Sequence, residues 1–276
     1  MTELQKAEFD LLRVFIELCE RLELHYYLVC GSALGAVKYQ GFIPWDDDVD
    51  VALCRREYEI FIEKAPDMLP ENLFLQNYHT EPGFPQLYSK LRNSQTTYIE
   101  ASARKLRINH GVYIDIFPLD GYPQGPLAGF LLEAKKKIFS LKCACAFEHE
   151  GASRKAAAFY QLERILGVDK RLPVNIARLD RTVSRWPAET ARVWCNHGSW
   201  QGRREYAPRE QYGAGCPAVF EGLEVRVPEQ YDTYLTQKYG NWRADLPEEE
   251  KKGHHDYTVC DLERPYGSYT GDGTAP

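Results

Sequence analysis

The sequence contains no run of about 18 apolar residues, so no segment reads as a membrane-spanning helix. Basic residues are not in excess: the net charge is −6, which argues against general nucleic-acid binding. No Gly-x-Gly-x-x-Gly follows an expected strand and no Gly-Lys-Ser/Thr occurs, which disfavours a Rossmann dehydrogenase and a P-loop NTPase. The opening Met1-Thr2-Glu3-Leu4-Gln5-Lys6 lacks the apolar core of a secretory signal, and there is no internal repeat. The eight cysteines lack the spacing of a short disulfide scaffold and fit reduced thiols, so a cytoplasmic protein is expected. Cys143, Cys145, His149, Cys195 and His197 do not stand at the usual zinc spacings. Free cysteine commonly behaves as a small buried apolar residue, so no dependence on zinc is expected.

What is present is a glycine-serine turn followed by clustered acids. Gly31-Ser32-Ala33-Leu34-Gly35 leads through Pro44-Trp45 to Asp46-Asp47-Asp48-Val49-Asp50-Val51-Ala52-Leu53. A strand over 48–53 would point alternate side chains to opposite faces, setting Asp46, Asp48 and Asp50 on one side and Asp47 on the other. Neighbouring carboxylates repel unless a cation neutralises them. Carboxylate oxygens on a rigid strand suit Mg²⁺ or Mn²⁺ beside substrate phosphates. Small residues at the turn would let backbone N–H groups approach a phosphate. An acidic surface turn is the plain alternative. A further acid, Asp115, interrupts the apolar run Val112-Tyr113-Ile114-Asp115-Ile116-Phe117. A charge buried there costs several kcal/mol unless paired or metal-bound, so Asp115 is expected to face the cluster.

Gly-Ser, then Asp-x-Asp, then a lone Asp on a later strand is the nucleotidyltransferase-fold pattern. The wording of 31–53, 90–100 and 112–120, with the closing Lys238-Tyr239-Gly240-Asn241-Trp242 and Leu246-Pro247-Glu248, resembles the LicD family of choline-phosphate transferases. The fukutin-related ribitol-phosphate transferases are distant relatives. Two departures stand out: Lys38-Tyr39 replaces the family's usual Arg-His, and 124–210 matches no family signature.

The resemblance implies an α/β (α+β) fold, a nucleotidyltransferase-like mixed sheet flanked by helices, with a mainly helical insert. It implies two Mg²⁺ or Mn²⁺ ions on Asp46, Asp48, Asp50 and Asp115, of which Asp48, Asp50 and Asp115 are catalytic. Gly31, Ser32, Lys38, Lys90, Arg92 and Thr97 would bind the donor phosphates or nucleotide, Glu100 lies in the same block, and His254 and His255 follow the closing motif. The implied reaction moves a phosphorylated head group, phosphocholine foremost, from a CDP-linked donor to a glycan or lipid-linked glycan hydroxyl, releasing CMP. Nucleotidyl transfer to a small molecule or protein is the alternative on the same acids, and a non-catalytic nucleotide-sugar or glycan-binding protein is another.

The expected organisation is a catalytic core over 1–123, a helical insert and acceptor side over 124–210, a segment completing the core over 211–265, and a flexible tail over 266–276. Apolar periodicity predicts helices over 3–23, 33–38, 55–64, 127–148, 156–166 and 174–186, and one over 228–239 opened by Pro228. Strands are expected over 26–30, 74–78, 87–92, 111–118 and 220–227, with loop over 198–215. Leu127, Phe130, Leu131, Ala134, Ile138 and Leu141 form one stripe beside Lys135, Lys136 and Lys137. Such a stripe is most often a packing face with solvated lysines; a basic amphipathic helix on an anionic membrane is the other reading.

Overall fold

The computed structural model describes residues 1–147, 160–162, 165–199, 201–253 and 256–269. Helix α1 (Glu3–Arg21) opens with a capping box in which Thr2 and Gln5 each accept a bond from the other's backbone N–H. It leads to β1 (Tyr26–Leu28), α2 (Cys30–Tyr39), β2 (Asp50–Cys54) and α3 (Arg55–Lys64). Then follow β3 (Leu73–Gln76), β4 (Ser89–Asn93), β5 (Thr97–Glu100) and β6 (Val112–Gly121). Two longer helices come next, α4 (Pro126–Ala144) and α5 (Leu172–Val183). The chain continues through β7 (Val193–Asn196), β8 (Tyr206–Pro208) and the short α6 (Arg209–Tyr212). It closes with β9 (Cys216–Phe220), β10 (Leu223–Val227), α7 (Tyr231–Tyr239) and β11 (Tyr257–Asp261).

The main sheet runs β1-β2-β6-β4-β3, with β7 and β8 continuing from β6. Only the β2–β6 pair is parallel, so the sheet is mixed, as the resemblance implies. On one side β6 pairs with β4 up to Ile116 and with β7 from Leu119. Pro118 falls in the gap between these partners, where a missing backbone N–H breaks no ladder. Helices α1 and α3 pack against this sheet, and Leu12, Phe15, Phe61, Leu91, Ile114 and Ile116 form part of one buried cluster. A smaller core joins Leu132 and Cys143 of α4 to Ile176, Leu179 and Val183 of α5. The two cores meet at Arg55, which holds Asp120 through paired bonds of 2.7 and 2.9 Å and reaches Asp180 of α5 at 3.1 Å.

Several expectations are corrected. The strand after Pro44 begins at Asp50, not at 48, because residues 43–46 turn, with Asp46 N donating to the Ile43 carbonyl. The segment expected as loop over 198–215 includes β8 and α6. The strand expected over 220–227 is the second arm of a hairpin that begins at Cys216 and turns at Glu221-Gly222, both with φ above +50°. Helix α7 starts at Tyr231, three residues after Pro228. Tyr266–Ser268 form a turn and the Tyr269 hydroxyl donates to Asp261, while 270–276 of the expected tail lie outside the described residues. The helix expected over 156–166 falls largely outside the described residues. The α4 stripe does not pack inward: that helix buries Gly129, Leu132 and Cys143 and turns the stripe to solvent.

Candidate active site

Strand register sets the site. Asp50 of β2 lies opposite Asp115 of β6, and Asp115 lies opposite Lys90 of β4, so three charged side chains stand side by side on adjacent strands. They emerge on one face, because residues at one register position of neighbouring strands share a side. All are buried, and Lys90 Nζ sits 2.9 Å from Asp115 Oδ1 and 3.7 Å from Glu100 Oε2. The same ammonium lies 3.2 Å from the centroid of the Tyr113 ring, a cation–π contact. Burial, then the charges of Asp48, Asp115 and Asp46, push the Asp50 carboxyl well above its ordinary range. Burial also raises Asp115, to about 6, with Lys90 pulling the other way and Glu100 adding to the rise.

The loop before β2 brings the other acids. Asp46, Asp47 and Asp48 each offer an oxygen within 4.8 Å of the others, the grouping of metal-capable side chains found among the described residues. Asp47 therefore belongs with its neighbours and does not point away: strand alternation does not operate in a turn. Helix α1 holds this loop, since the Gln5 side-chain amide donates to the carbonyls of Ile43 and Asp46 at 3.4 and 3.0 Å.

At the start of α2 the left-handed residue is Cys30, with φ +50°, and Gly31 and Ser32 belong to the first helical turn. Gly31 is required for contact: a Cβ there would sit 2.7 Å from Asp46 Oδ2. The Ser32 hydroxyl accepts a bond from Asp50 N at 2.9 Å, fixing the backbone of the acid it precedes. Beneath this turn lies a buried ion pair, Lys238 Nζ to Glu205 Oε2 at 2.5 Å, with Cys30 Sγ 3.7 Å from the ammonium. Tyr234 also reaches the turn, its hydroxyl accepting from Cys30 N at 3.1 Å.

The remaining expected residues are placed differently. Lys38 turns to the C-terminal segment, donating to the carbonyls of Trp242, Arg243 and Ala244 and pairing with Asp245. Arg92 is buried among Gln76, the Gly111 carbonyl and Glu100, a brace between strands. Thr97 is also buried and donates to the Arg264 carbonyl at 2.8 Å. His254 and His255 lie outside the described residues, as does His149. Cys195 Sγ approaches His197 Nδ1 at 3.4 Å, within a contact that also includes Lys136.

Glu8 is an acid that sequence reading passed over. It is buried on α1, and Glu8 Oε2 has no hydrogen-bond partner among the described residues. Burial, then the charges of Asp48, Asp47 and Asp46, raise its carboxyl well above the ordinary range. The signal was available: Glu8 interrupts the apolar face that includes Leu11, Leu12 and Phe15. Lys238 was visible within the closing motif, but its partner Glu205 stands 33 residues earlier in a segment without a pattern.

Residues 23–126 match the family described as the LicD/FKTN/FKRP nucleotidyltransferase domain. The chain is also 29% identical to the lipopolysaccharide cholinephosphotransferase LicD of Haemophilus influenzae, over 92% of this chain and 96% of that one. A LicD-family nucleotidyltransferase domain therefore spans residues 23–126 of this chain. Uncharacterized proteins of Rickettsia prowazekii and Rickettsia typhi are similar over shorter stretches, 26% identical over 42% of this chain and 33% identical over 21% of it. The LicD domain contains the whole row Asp50, Asp115 and Lys90 and the acid loop before it. Glu8, Glu205 and Lys238 lie outside that domain yet pack on it.

The donor set fits a hard divalent cation. It is all oxygen, clustered, partly buried and held by backbone turns, and burial with the neighbouring acids raises the Asp50 carboxyl beside it.

Proposed function

We propose that this chain transfers phosphocholine from CDP-choline to a hydroxyl of lipopolysaccharide or a related cell-surface glycan, releasing CMP, on the cytoplasmic side of the membrane. The single observation that carries the reading is the register of Asp50, Asp115 and Lys90 inside a LicD domain. The similar protein of Haemophilus influenzae, matched over 96% of its length, is a lipopolysaccharide cholinephosphotransferase by name.

Asp50, Asp115 and the Asp46–Asp48 loop would hold Mg²⁺ or Mn²⁺. A bound ion of this kind neutralises diphosphate oxygens and lowers the pKa of an acceptor hydroxyl. Ser32 and the Lys238–Glu205 pair keep Asp50 and the α2 turn in place while substrate exchanges. Gly31 leaves room for Asp46 to approach the turn. Lys90 supplies a fixed positive charge beside Asp115, balancing the acids and the developing charge on the transferred phosphoryl group. The acceptor oxygen bonds to the distal phosphorus, the bond from that phosphorus to CMP breaks, and the hydroxyl proton is released.

The test is a donor screen with CDP-choline, CDP-ribitol, CDP-glycerol and CDP-ethanolamine, following CMP release. CDP-choline is expected to be preferred, and chelation of divalent ions is expected to stop the reaction. CMP left attached to the acceptor, traced with doubly labelled donor, would establish nucleotidyl transfer instead.

A further inference from the structure

Helix α4 carries an apolar stripe on its outside. Leu127, Phe130, Leu131, Ile138 and Leu141 are 71, 69, 49, 53 and 36% exposed, whereas Gly129, Leu132 and Cys143 on the opposite side are buried. At 100° per residue the exposed set falls within about one third of the helix circumference. Monomeric proteins rarely leave large contiguous apolar surface in water unless something covers it.

Charge identifies what covers it. Lys135 and Lys142 flank the stripe on one side and Lys137 on the other, following the same helical spacing. Glu133 is the helix's sole acid and faces inward, where it accepts from the Tyr206 hydroxyl at 2.5 Å and pairs with Lys136 at 2.9 Å. The outer face of α4 is thus apolar in the centre and positive at both margins, on a protein whose net charge is −6. A second copy of α4 laid on this face would bring lysine margins together, which is unfavourable. Among the described residues no helix is long and apolar enough to cross a membrane. A helix lying in the plane of an anionic bilayer satisfies both features: the stripe enters the acyl boundary and the lysines meet the headgroups.

We propose that α4 is an in-plane anchor that seats this protein on an anionic phospholipid surface. The anchor does not depend on which group the enzyme transfers.

Vesicle flotation of the full chain tests this, using phosphatidylcholine alone and phosphatidylcholine mixed with phosphatidylglycerol. The wild-type chain is expected to float with the mixed vesicles and less with the neutral ones. Phe130→Ser with Ile138→Ser should lower the bound fraction at least about tenfold, since two anchoring side chains leave the acyl boundary. Lys135→Gln with Lys137→Gln should weaken binding at low salt by roughly 25-fold, about fivefold per lysine. Wild-type chain that stays with neither vesicle, or serine variants that float undiminished, would overturn the proposal. So would a dimer in solution that the same serine pair dissolves, because the occupant would then be a second copy. Should the serine pair fail to fold, Phe130→Trp decides: its emission should shift to the blue on mixed vesicles, and an unmoved spectrum refutes insertion.

Discussion

Asp50 and Asp115 are partners in a parallel ladder, so their carboxylates share one small volume. Replacing either with Asn, or Asp48 likewise, keeps the size but removes a charge that anchors a cation. Loss of one anchor should lower kcat/KM on the order of a thousandfold, at about 1.4 kcal/mol per tenfold. The comparison with Asp47→Asn is informative. Its oxygen lies within 4.8 Å of those of Asp46 and Asp48, so Asp47→Asn should fall with Asp46→Asn in its effect and not behave as an inert surface change. Steady-state kinetics of the five variants, with circular dichroism as the folding check, decides this.

The same residues give the metal-free protein an unusual pH dependence. Burial raises the Asp115 carboxyl to about 6, and Asp50 and Glu8 are raised as well. A group whose carboxyl is raised on folding binds its proton more tightly in the native state. Its contribution to stability is full below the unfolded value near 4 and is lost as pH rises through about 6. In chelator, Tm should therefore fall between pH 5 and pH 7.5, by a contribution on the order of 1 kcal/mol from Asp115 alone. Asp50→Asn should flatten the slope, and Mg²⁺ should restore Tm at pH 7.5. A Tm that rises with pH in chelator equally for wild type and Asp50→Asn would exclude the strained acid cluster.

At the scale of elements, α2 and α7 meet over the Lys238–Glu205 pair, both side chains essentially inaccessible. Breaking one partner leaves a buried charge uncompensated, at a cost of about 3–5 kcal/mol. Glu205→Gln or Lys238→Met should therefore destabilise the fold, and Glu205→Leu with Lys238→Met should regain most of that stability. Activity should not return with it, because the Lys238 charge also acts on Asp50. Denaturant unfolding paired with kinetics separates these outcomes. Full activity in the double variant would make the pair purely structural. The elements themselves were mostly legible. Apolar spacing located α1, α3, α4 and α5, and the lone acid in an apolar run located β6. Strands β5, β7, β8, β9 and β11 were missed because they are short, and β5, β7 and β11 also draw stability from partners remote in sequence.

At the scale of the molecule, the core LicD domain and the α4–α5 helices form two hydrophobic clusters joined at Arg55, Asp120 and Asp180. The helical segment lies outside the matched domain, and we propose that it forms the acceptor side. Exchanging 124–190 with a relative that uses a different acceptor should change the sugar modified and leave the donor preference intact. The exchange stops before Val193 because β7 completes the core sheet and β8 pairs with it. A changed donor with an unchanged acceptor, read by mass spectrometry of the product, would refute the division.

Sequence alone determined the clustered acids after Pro44, the lone Asp115 in its apolar run and the mixed α/β class. These depend on residue type and short spacing, which local sterics and charge repulsion translate directly into structure. Tertiary structure decided the rest. It set Lys90 against Asp115, because register across β4 and β6 is a property of paired strands. Asp47 joined the cluster because the chain turns before Asp50, and Glu8 reached the site because α1 packs over that turn. Periodicity found the α4 stripe but not its direction. A helix shows the same spacing whether its apolar face meets a core or a membrane, and the side on which Leu132 and Cys143 met α5 settled which face was left outside.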